Sequence, residues 1–453
     1  MRPPDWLAYI TAVLERDGHE VRLHDFPARE WERDQFIRLI RKQRPQAVIL
    51  DSTTPSIDSD LNYASLVKQE VGAIVAMVGP HVTALPSETL LHSKGDVDYI
   101  IRGEPEYTAR ELFAALEQKS SPHSIRGLSY LNQGQPVNNQ ARPLIENLDE
   151  LPYPAWHHLD LKKYFDGIKL YPFIDIIGGR GCPYQCSFCL WPQVMHGNQY
   201  RLRSPQNIVS EIKYDLRLWP WIRKGEFFFE DDTFTVNRDR ALEICHEILK
   251  LKKKITWSVN ARADHGDDEL FQLMKKAGCR MLLIGYESGN DTVLKMVGKK
   301  LSPYTALQKA KRAQAAGLKI HGCFVLGLPG ETEKSMTETI EYALELPLDT
   351  VQFSAAVPFP GTSYFEYCQK NGLVQAKKWT DWLANGEQSG VVDYPGLPSA
   401  YITATVDQAL KQFYFRPRYM TRFLLSTRSL RDLYRKTRGA LNFLDYLMKK
   451  MKS

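Results

Sequence analysis

The pattern of apolar and polar positions changes character along the chain. From residue 5 to 118, short apolar runs alternate with stretches of helical spacing. Trp6–Arg16 has helical spacing and stops at Gly18. Glu20–His24, Ala47–Asp51, Ala73–Gly79 and Val97–Arg102 read as strands. This alternation predicts a parallel, doubly wound sheet, with ligands at the carboxyl ends of its strands. Residues 119–170 lose the pattern. They are rich in Pro, Asn and Gln, carry one hairpin-like piece at Gly127–Val137 and close with Leu148–Pro154.

From 171 the alternation resumes. Six strands are predicted at Pro172–Ile177, Glu226–Glu230, Thr256–Asn260, Met281–Tyr286, Ile320–Leu326 and Val351–Val357. Helices are expected between them at roughly 205–218, 238–253, 267–277, 303–316 and 332–345. Ser204-Pro205 and Ser302-Pro303 read as helix N-caps with Pro at the first helical position. Strands in this order predict a partial barrel of parallel strands, with chemistry on the loops at their carboxyl ends. Residues 363–415 read mostly as loops that cover the barrel, with Trp379 and Trp382 as packing. In Arg416–Lys452 apolar residues recur at helical spacing among eleven Lys or Arg and two Asp. The expected domains are 1–120, a connector at 121–170, the barrel at 171–362, the covering region at 363–415 and a basic amphipathic helical tail at 416–453.

The loop after the first barrel strand carries the most specific chemistry. It reads Gly-Arg-Gly-Cys182-Pro-Tyr-Gln-Cys186-Ser-Phe-Cys189. Thiolates at this spacing can turn toward one centre, as an iron–sulfur cluster requires. Three ligands on a four-iron cluster leave one iron open. The competing readings are a zinc knuckle or three buried cysteines, and a structural zinc would want a fourth ligand close by. The following strands end in Glu230-Asp231-Asp232, Asn260-Ala261-Arg262, Gly285-Tyr286-Glu287-Ser288 and Gly327-Leu328-Pro329-Gly330. Carboxylates there suit an ammonium group or a ribose. Helix N-capping by Asp231 or Asp232 is the competing use. In the first sheet the corresponding ends are Asp51-Ser52-Thr53-Thr54, Gly79-Pro80-His81-Val82 and Arg102-Gly103-Glu104.

Composition narrows the class. The chain has 453 residues, 43% hydrophobic and 25% charged, which is ordinary for a globular protein of two or three domains. Seven cysteines without regular pairing argue for a reducing compartment, and the expected location is cytoplasmic. The net charge of +6 is modest, and no nucleic-acid partner is expected. The basic tail suits peripheral contact with an anionic membrane face. Its alternative is a helix packed on the barrel with a solvated basic face.

The cysteine spacing, with an aromatic residue before Cys189, resembles the radical S-adenosylmethionine (radical SAM) enzymes. The segments Gly18-His19-Glu20-Val21, Gly79-Pro80-His81-Val82 and Arg102-Gly103-Glu104 resemble the cobalamin-binding domain that precedes the radical SAM domain in one subgroup. Strings such as Glu-Phe-Phe-Phe-Glu-Asp-Asp-Thr-Phe, Gly-Tyr-Glu-Ser-Gly-Asn and Phe-Tyr-Phe-Arg416-Pro look like its hopanoid-associated branch. The resemblance implies a 4Fe-4S cluster on Cys182, Cys186 and Cys189, with SAM held by Phe188, Arg203, Glu230, Asp231, Arg262, Glu287 and Ser288. It implies cobalamin near Ser52, Thr53, Gly79, His81, Gly103 and Glu104. The implied reaction is SAM cleavage to a 5′-deoxyadenosyl radical that abstracts a substrate hydrogen. A reducing electron-donor protein and a lipid or lipid-linked substrate follow, with remodelling of a hopanoid head group as the expected outcome. The alternatives are a cobalamin-dependent C-methyltransferase, an oxidative cyclase of the porphyrin type, and a non-catalytic cofactor- or lipid-binding protein. The strand that normally precedes Pro3-Pro4 in the subgroup does not occur here. The expectation is therefore a start upstream of Met1, and weak cobalamin binding by these residues alone.

Overall fold

The computed structural model describes residues 2–384, 387, 388, 390–417, 419–421, 433, 437, 439 and 441. The amphipathic tail expected over 416–453 lies almost entirely outside these residues.

Five strands form the first sheet in the order β1 (Ala47–Asp51), β2 (Ile74–Val78), β3 (Tyr99–Ile101), β4 (Leu128–Asn132) and β5 (Gln135–Asn138). The first three are parallel, and β4 and β5 add antiparallel. The hairpin read as part of the connector thus extends this sheet. Helix Asp5–Arg16 buries Ile10 and Leu14 against Ala109 and Leu112 of helix Glu106–Glu117. Glu20–His24, expected as a strand, is instead chain outside either sheet. A strand persists only where a neighbour takes up its amide and carbonyl groups, and no described strand pairs with this stretch.

The second sheet has six strands, all parallel, and is the expected partial barrel. Its strands are β6 (Phe173–Ile176), β9 (Glu226–Phe229), β10 (Trp257–Arg262), β11 (Cys279–Glu287), β12 (Lys319–Leu326) and β13 (Thr350–Ala355). Between β6 and β9, the short strands β7 (Gly179–Arg180) and β8 (Arg201–Leu202) pair antiparallel. The pleat sends alternate side chains to opposite faces. Trp257, Val259 and Ala261 pack into the apolar layer under the helices. Ser258, Asn260 and Arg262 therefore face the barrel interior. Ser204 caps helix Pro205–Leu218 by accepting the Asn207 N–H at 3.1 Å. Ser302 caps helix Pro303–Ala315 in the same way.

Two helices, Ser363–Lys370 and Ser399–Tyr414, depart from the loops expected near the end. Ser399–Tyr414 is a helix that buries Ile402, Val406, Ala409 and Phe413 in the barrel core. Its Tyr414 hydroxyl donates to the Val351 carbonyl at 2.6 Å and accepts the Val351 N–H at 3.0 Å. It thereby satisfies backbone groups at the edge strand β13.

Buried ion pairs join the first sheet to the loop region of the barrel. Arg201 grips Glu104 with two nitrogens, at 2.8 and 2.7 Å. Arg180 donates to Glu106 at 2.6 Å and lies 5.1 Å from the ring centroids of both Trp6 and Tyr9.

Candidate active site

The three cysteines sit on a loop closed at its base by the β7–β8 ladder. Gly181 turns the chain at φ +87°, where a Cβ would lie 2.2 Å from the Gln199 carbonyl oxygen. Only glycine fits there. Two side-chain amides then fasten the loop. Gln193 Nε2 donates to the carbonyls of Cys186, Ser187 and Cys189 at 3.2, 3.1 and 2.8 Å. Asn198 Nδ2 donates to the carbonyls of Cys182 and Tyr184 at 3.2 and 3.0 Å. Gln193 belongs to a π-helical turn, Trp191–His196, of the kind that often marks functional sites. Tyr184 is held by His265 at 2.5 Å and by the Arg262 guanidinium, 3.7 Å from its ring centroid.

Burial raises the pKa of all three thiols, and Asp232 together with the sulfurs of Cys186 and Cys182 raises Cys189 further. The three sulfurs thus share one electrostatic neighbourhood in which a free thiolate is unfavourable. Coordination to a metal removes that penalty by deprotonating the thiol outright. This donor set fits a cluster held by three thiolates.

The carboxylates after β9 separate by direction. Glu230 faces the barrel interior, where Lys169 donates to it at 2.6 Å and Arg2 lies 3.1 Å away. Burial pushes Glu230 up, but Arg2 and Lys169 outweigh it and its pKa is lowered. Lys169 also holds Asp175 at 2.7 Å. Asp231 turns outward to accept the Gly178 N–H at 2.6 Å and lies 3.5 Å from Arg240. Asp232 reaches the cysteine loop. Its Oδ2 accepts the Gly181 N–H at 3.0 Å and lies 2.9 Å from His196 Nδ1. The His196 ring stacks on Trp191 and meets the edge of Trp6, which comes from the first domain.

Glu287 ends β11 at φ +65°, a left-handed conformation for a non-glycine residue, beside a register shift in the ladder. Lys299 bonds its carboxylate and the Gly285 carbonyl, both at 2.7 Å. Ser288 bonds Thr339 at 3.0 Å and caps the next turn. Phe188 packs at the edge of an apolar cluster that includes Val293 and Leu328. Arg262 is paired with Asp264 at 2.8 Å and donates to the Lys300 carbonyl.

The structure brings Cys182, Cys186, Cys189, Asp232, Arg262 and Glu287 around one mouth of the barrel. Two of the expected SAM residues point elsewhere. Arg203 spends its guanidinium on Glu211, Asn207 and the Ile177 carbonyl. Asp231 serves Gly178 and Arg240. Asp232, His196, Gln193, Asn198 and Lys299 were not singled out for the site from sequence. Only the Glu-Asp-Asp run pointed toward any of them.

In the first domain, Gly79 sits at φ +110° with its Cα so close to the next loop that a Cβ would lie 2.3 Å from the Ser52 carbonyl. The Ser52 side chain is buried beside Asp60. Thr53 closes a turn with Ser56. His81 bonds Thr54 at 3.2 Å and meets the edge of Trp379, and burial lowers its pKa to about 4. Gly103 donates to Thr83. Both oxygens of Glu104 are taken by Arg201, so its carboxylate is committed to the domain junction. A cavity of 490 Å³ opens beside these loops, lined by Ile57, Leu61, His81, Glu88, Trp379 and Trp382. The cavity reaches the strand ends at His81, where a bulky cofactor fits.

Comparison with known proteins agrees. The radical SAM superfamily matches residues 176–343 and the B12 binding domain residues 3–113. An uncharacterized methyltransferase of Pyrococcus horikoshii is 32% identical over 92% of this chain and 89% of its own length. The anaerobic magnesium-protoporphyrin IX monomethyl ester cyclase of Rubrivivax gelatinosus is 28% identical over 80% of this chain and 66% of its own. The fold is shared with the cobalamin-dependent SAM radical enzyme OxsB, solved with aqua-cobalamin and SAM. That match has a TM-score of 0.75 at 17% identity and covers 96% of this chain and 68% of that one. The chain is an enzyme that works with a 4Fe-4S cluster, SAM and cobalamin, and it belongs to the radical SAM proteins that carry a cobalamin-binding domain.

Proposed function

We propose that this cobalamin-dependent radical SAM enzyme is a C-methyltransferase. The observation that carries the reading is the meeting of two cofactor faces. The cysteine loop, Asp232 and Glu287 stand at the barrel mouth, and the strand ends of the first domain are docked beside them through Glu104, Glu106 and Trp6. When bound, the cluster supplies an electron to cleave SAM, and cobalamin supplies a carrier for a methyl group. Cys182, Cys186 and Cys189 are assigned as the cluster ligands. Asp232 and Glu287 are assigned to the amino and ribose groups of SAM. Asp232 is fixed by the Gly181 N–H, so a cofactor on the open iron meets a preset carboxylate. The aromatic wall of Trp6, Trp191 and His196 excludes water between the two domains. Glu230, Lys169 and Asp175 line the barrel floor and orient polar groups of the substrate.

The Pyrococcus horikoshii relative, matched over nearly its full length, is named a methyltransferase, and this supports methyl transfer over remodelling of a hopanoid head group. The similarity to a cyclase keeps ring oxidation as the second reading. A lipid-linked substrate and an electron-donor protein are part of the proposal. No helix among the described residues is long and apolar enough to cross a membrane. The membrane contact proposed for the tail is peripheral, by its basic amphipathic pattern.

Atom balance separates the two readings without knowledge of the substrate. Transfer of a methyl group from SAM to any acceptor leaves S-adenosylhomocysteine, whereas one-electron cleavage leaves methionine and a 5′-deoxyadenosyl radical that becomes 5′-deoxyadenosine on taking a hydrogen atom. The reconstituted enzyme with cobalamin and reductant is expected to release S-adenosylhomocysteine together with 5′-deoxyadenosine. Release of 5′-deoxyadenosine with no cobalamin-dependent S-adenosylhomocysteine would favour the cyclase.

A further inference from the structure

A second group of ligating side chains lies on the far side of helix Asp5–Arg16 from this site's chemistry. Glu15, in the last turn of that helix, faces His157 and His158 of the short helical turn Trp156–His158. His157 Nε2 is 3.3 Å and His158 Nε2 2.8 Å from the same oxygen, Glu15 Oε1. The two ring nitrogens and the carboxylate oxygen all lie within 4.8 Å of one another. The imidazole centroids are only 4.5 Å apart.

One carboxylate oxygen can accept from both rings, so hydrogen bonds by themselves hold the three side chains together. Two neutral imidazoles and a carboxylate are, however, a common donor set for zinc and its neighbours. Zinc–nitrogen and zinc–oxygen bonds of about 2.0–2.2 Å place tetrahedral ligands roughly 3.3 Å apart. The His157 pair already has that spacing. The His158 pair needs to open by about half an ångström, which a small torsional shift within one rotamer well supplies. The side chains are 47%, 18% and 30% exposed for His157, His158 and Glu15, so water can take the fourth position.

The scaffold on either side is firm. Trp156 is buried, and the Ala155 N–H donates to the Ala8 carbonyl at 3.0 Å. The neighbouring cation is engaged elsewhere, since Arg16 donates to the Glu150 carbonyl at 2.7 Å.

We infer that Glu15, His157 and His158 form a site for a late first-row divalent ion of the zinc type, which clips the first helix to the segment entering the barrel. The site uses none of the residues assigned to SAM, cobalamin or the cluster. The ligands are 142 and 143 residues apart in sequence, and closing a long loop is where a metal clip constrains the unfolded chain most. The role is to hold the first domain in place on the barrel.

The test uses tag-free, cluster-loaded, cobalamin-loaded enzyme, equilibrated with micromolar zinc sulfate after removal of loosely held metal. Zinc and iron are counted together for the parent, Glu15→Gln and the double variant His157→Ala/His158→Ala. The parent is expected to hold about one zinc more per chain than either variant, at equal iron. Its zinc absorption-edge fine structure should show imidazole and oxygen neighbours without sulfur. Its thermal midpoint should rise by a few degrees on adding zinc, and those of the variants should not. Glu15→Gln keeps the shape and can still accept a hydrogen bond, so it guards against a folding defect in the double variant. Equal zinc in parent and Glu15→Gln would overturn the assignment, as would sulfur neighbours at about 2.3 Å, which place the zinc on cysteines.

Discussion

Glu287 is held in a left-handed backbone conformation that costs a non-glycine residue about 1–2 kcal/mol. Its carboxylate is buried against Lys299 at 2.7 Å. Such strain persists at positions where geometry serves a ligand. Glu287→Gln should weaken SAM binding by about ten- to a hundredfold, the loss of one charge-assisted hydrogen bond, with iron content unchanged. SAM titration of the reconstituted variant checks this, and unchanged affinity would remove Glu287 from the SAM site and leave Asp232 alone there. A second carboxylate makes a pH prediction. Burial raises Glu331 to about 8, although it accepts the Leu328 N–H at 3.0 Å. The folded chain then keeps a proton that the unfolded chain releases near the ordinary value of 4.5. This contribution to stability is complete below that value and is lost as pH rises toward 8, on the order of a few kcal/mol. Glu331→Gln keeps an acceptor oxygen and cannot titrate, so its thermal midpoint should fall less than the parent's between about pH 5 and 8. At this scale the sequence was only partly readable. The cysteines announce themselves by spacing. The run Glu230-Asp231-Asp232 gives three carboxylates that leave a strand end in three directions, and only the packed structure separates the one beside the cysteine loop from the one bonded to Gly178.

The cysteine loop owes its shape to elements on either side of it. Gln193 supplies one amide to three loop carbonyls and accepts the Ser363 N–H at 2.9 Å, which ties the loop to helix Ser363–Lys370. Gln193→Ala should leave these carbonyls without their donor, cost about 1–3 kcal/mol and lower iron retention after desalting, with all three cysteines present. Iron retention equal to the parent would show that the β7–β8 ladder and Asn198 suffice. The barrel strands and helices were legible because period-two and helical spacing are bracketed by N-capping Ser204 and Ser302. Glu20–His24 has strand-like residues but no pairing partner, a nonlocal condition that local pattern does not contain. Helix Ser399–Tyr414 carried its signal in Ile402, Val406, Ala409 and Phe413, whose helical spacing follows a run of Gly and Pro that reads as loop.

At the scale of the whole molecule, function depends on how the two domains are held. Glu104 compensates Arg201 and lies 3.6 Å from Arg180, all three nearly fully buried. Burial pushes Glu104 up, and the two arginines outweigh it and hold its pKa below the ordinary value. Glu104→Ala leaves two buried guanidinium groups short of a partner and should destabilise the enzyme by about 3–5 kcal/mol. Thermal unfolding measures the loss, which should exceed that of Arg110→Ala, whose partner Asp17 sits at the surface. No local pattern marks this junction in the sequence, because its partners lie 97 residues apart. The central claim is that Cys182, Cys186 and Cys189 hold a cluster with one iron open to SAM. Electron paramagnetic resonance of the reduced, reconstituted enzyme with and without SAM tests it most directly. The account predicts a 4Fe-4S signal that shifts when SAM is added and is absent from each of the three Cys→Ala variants. A signal that SAM leaves unchanged, or that survives all three substitutions, would contradict it.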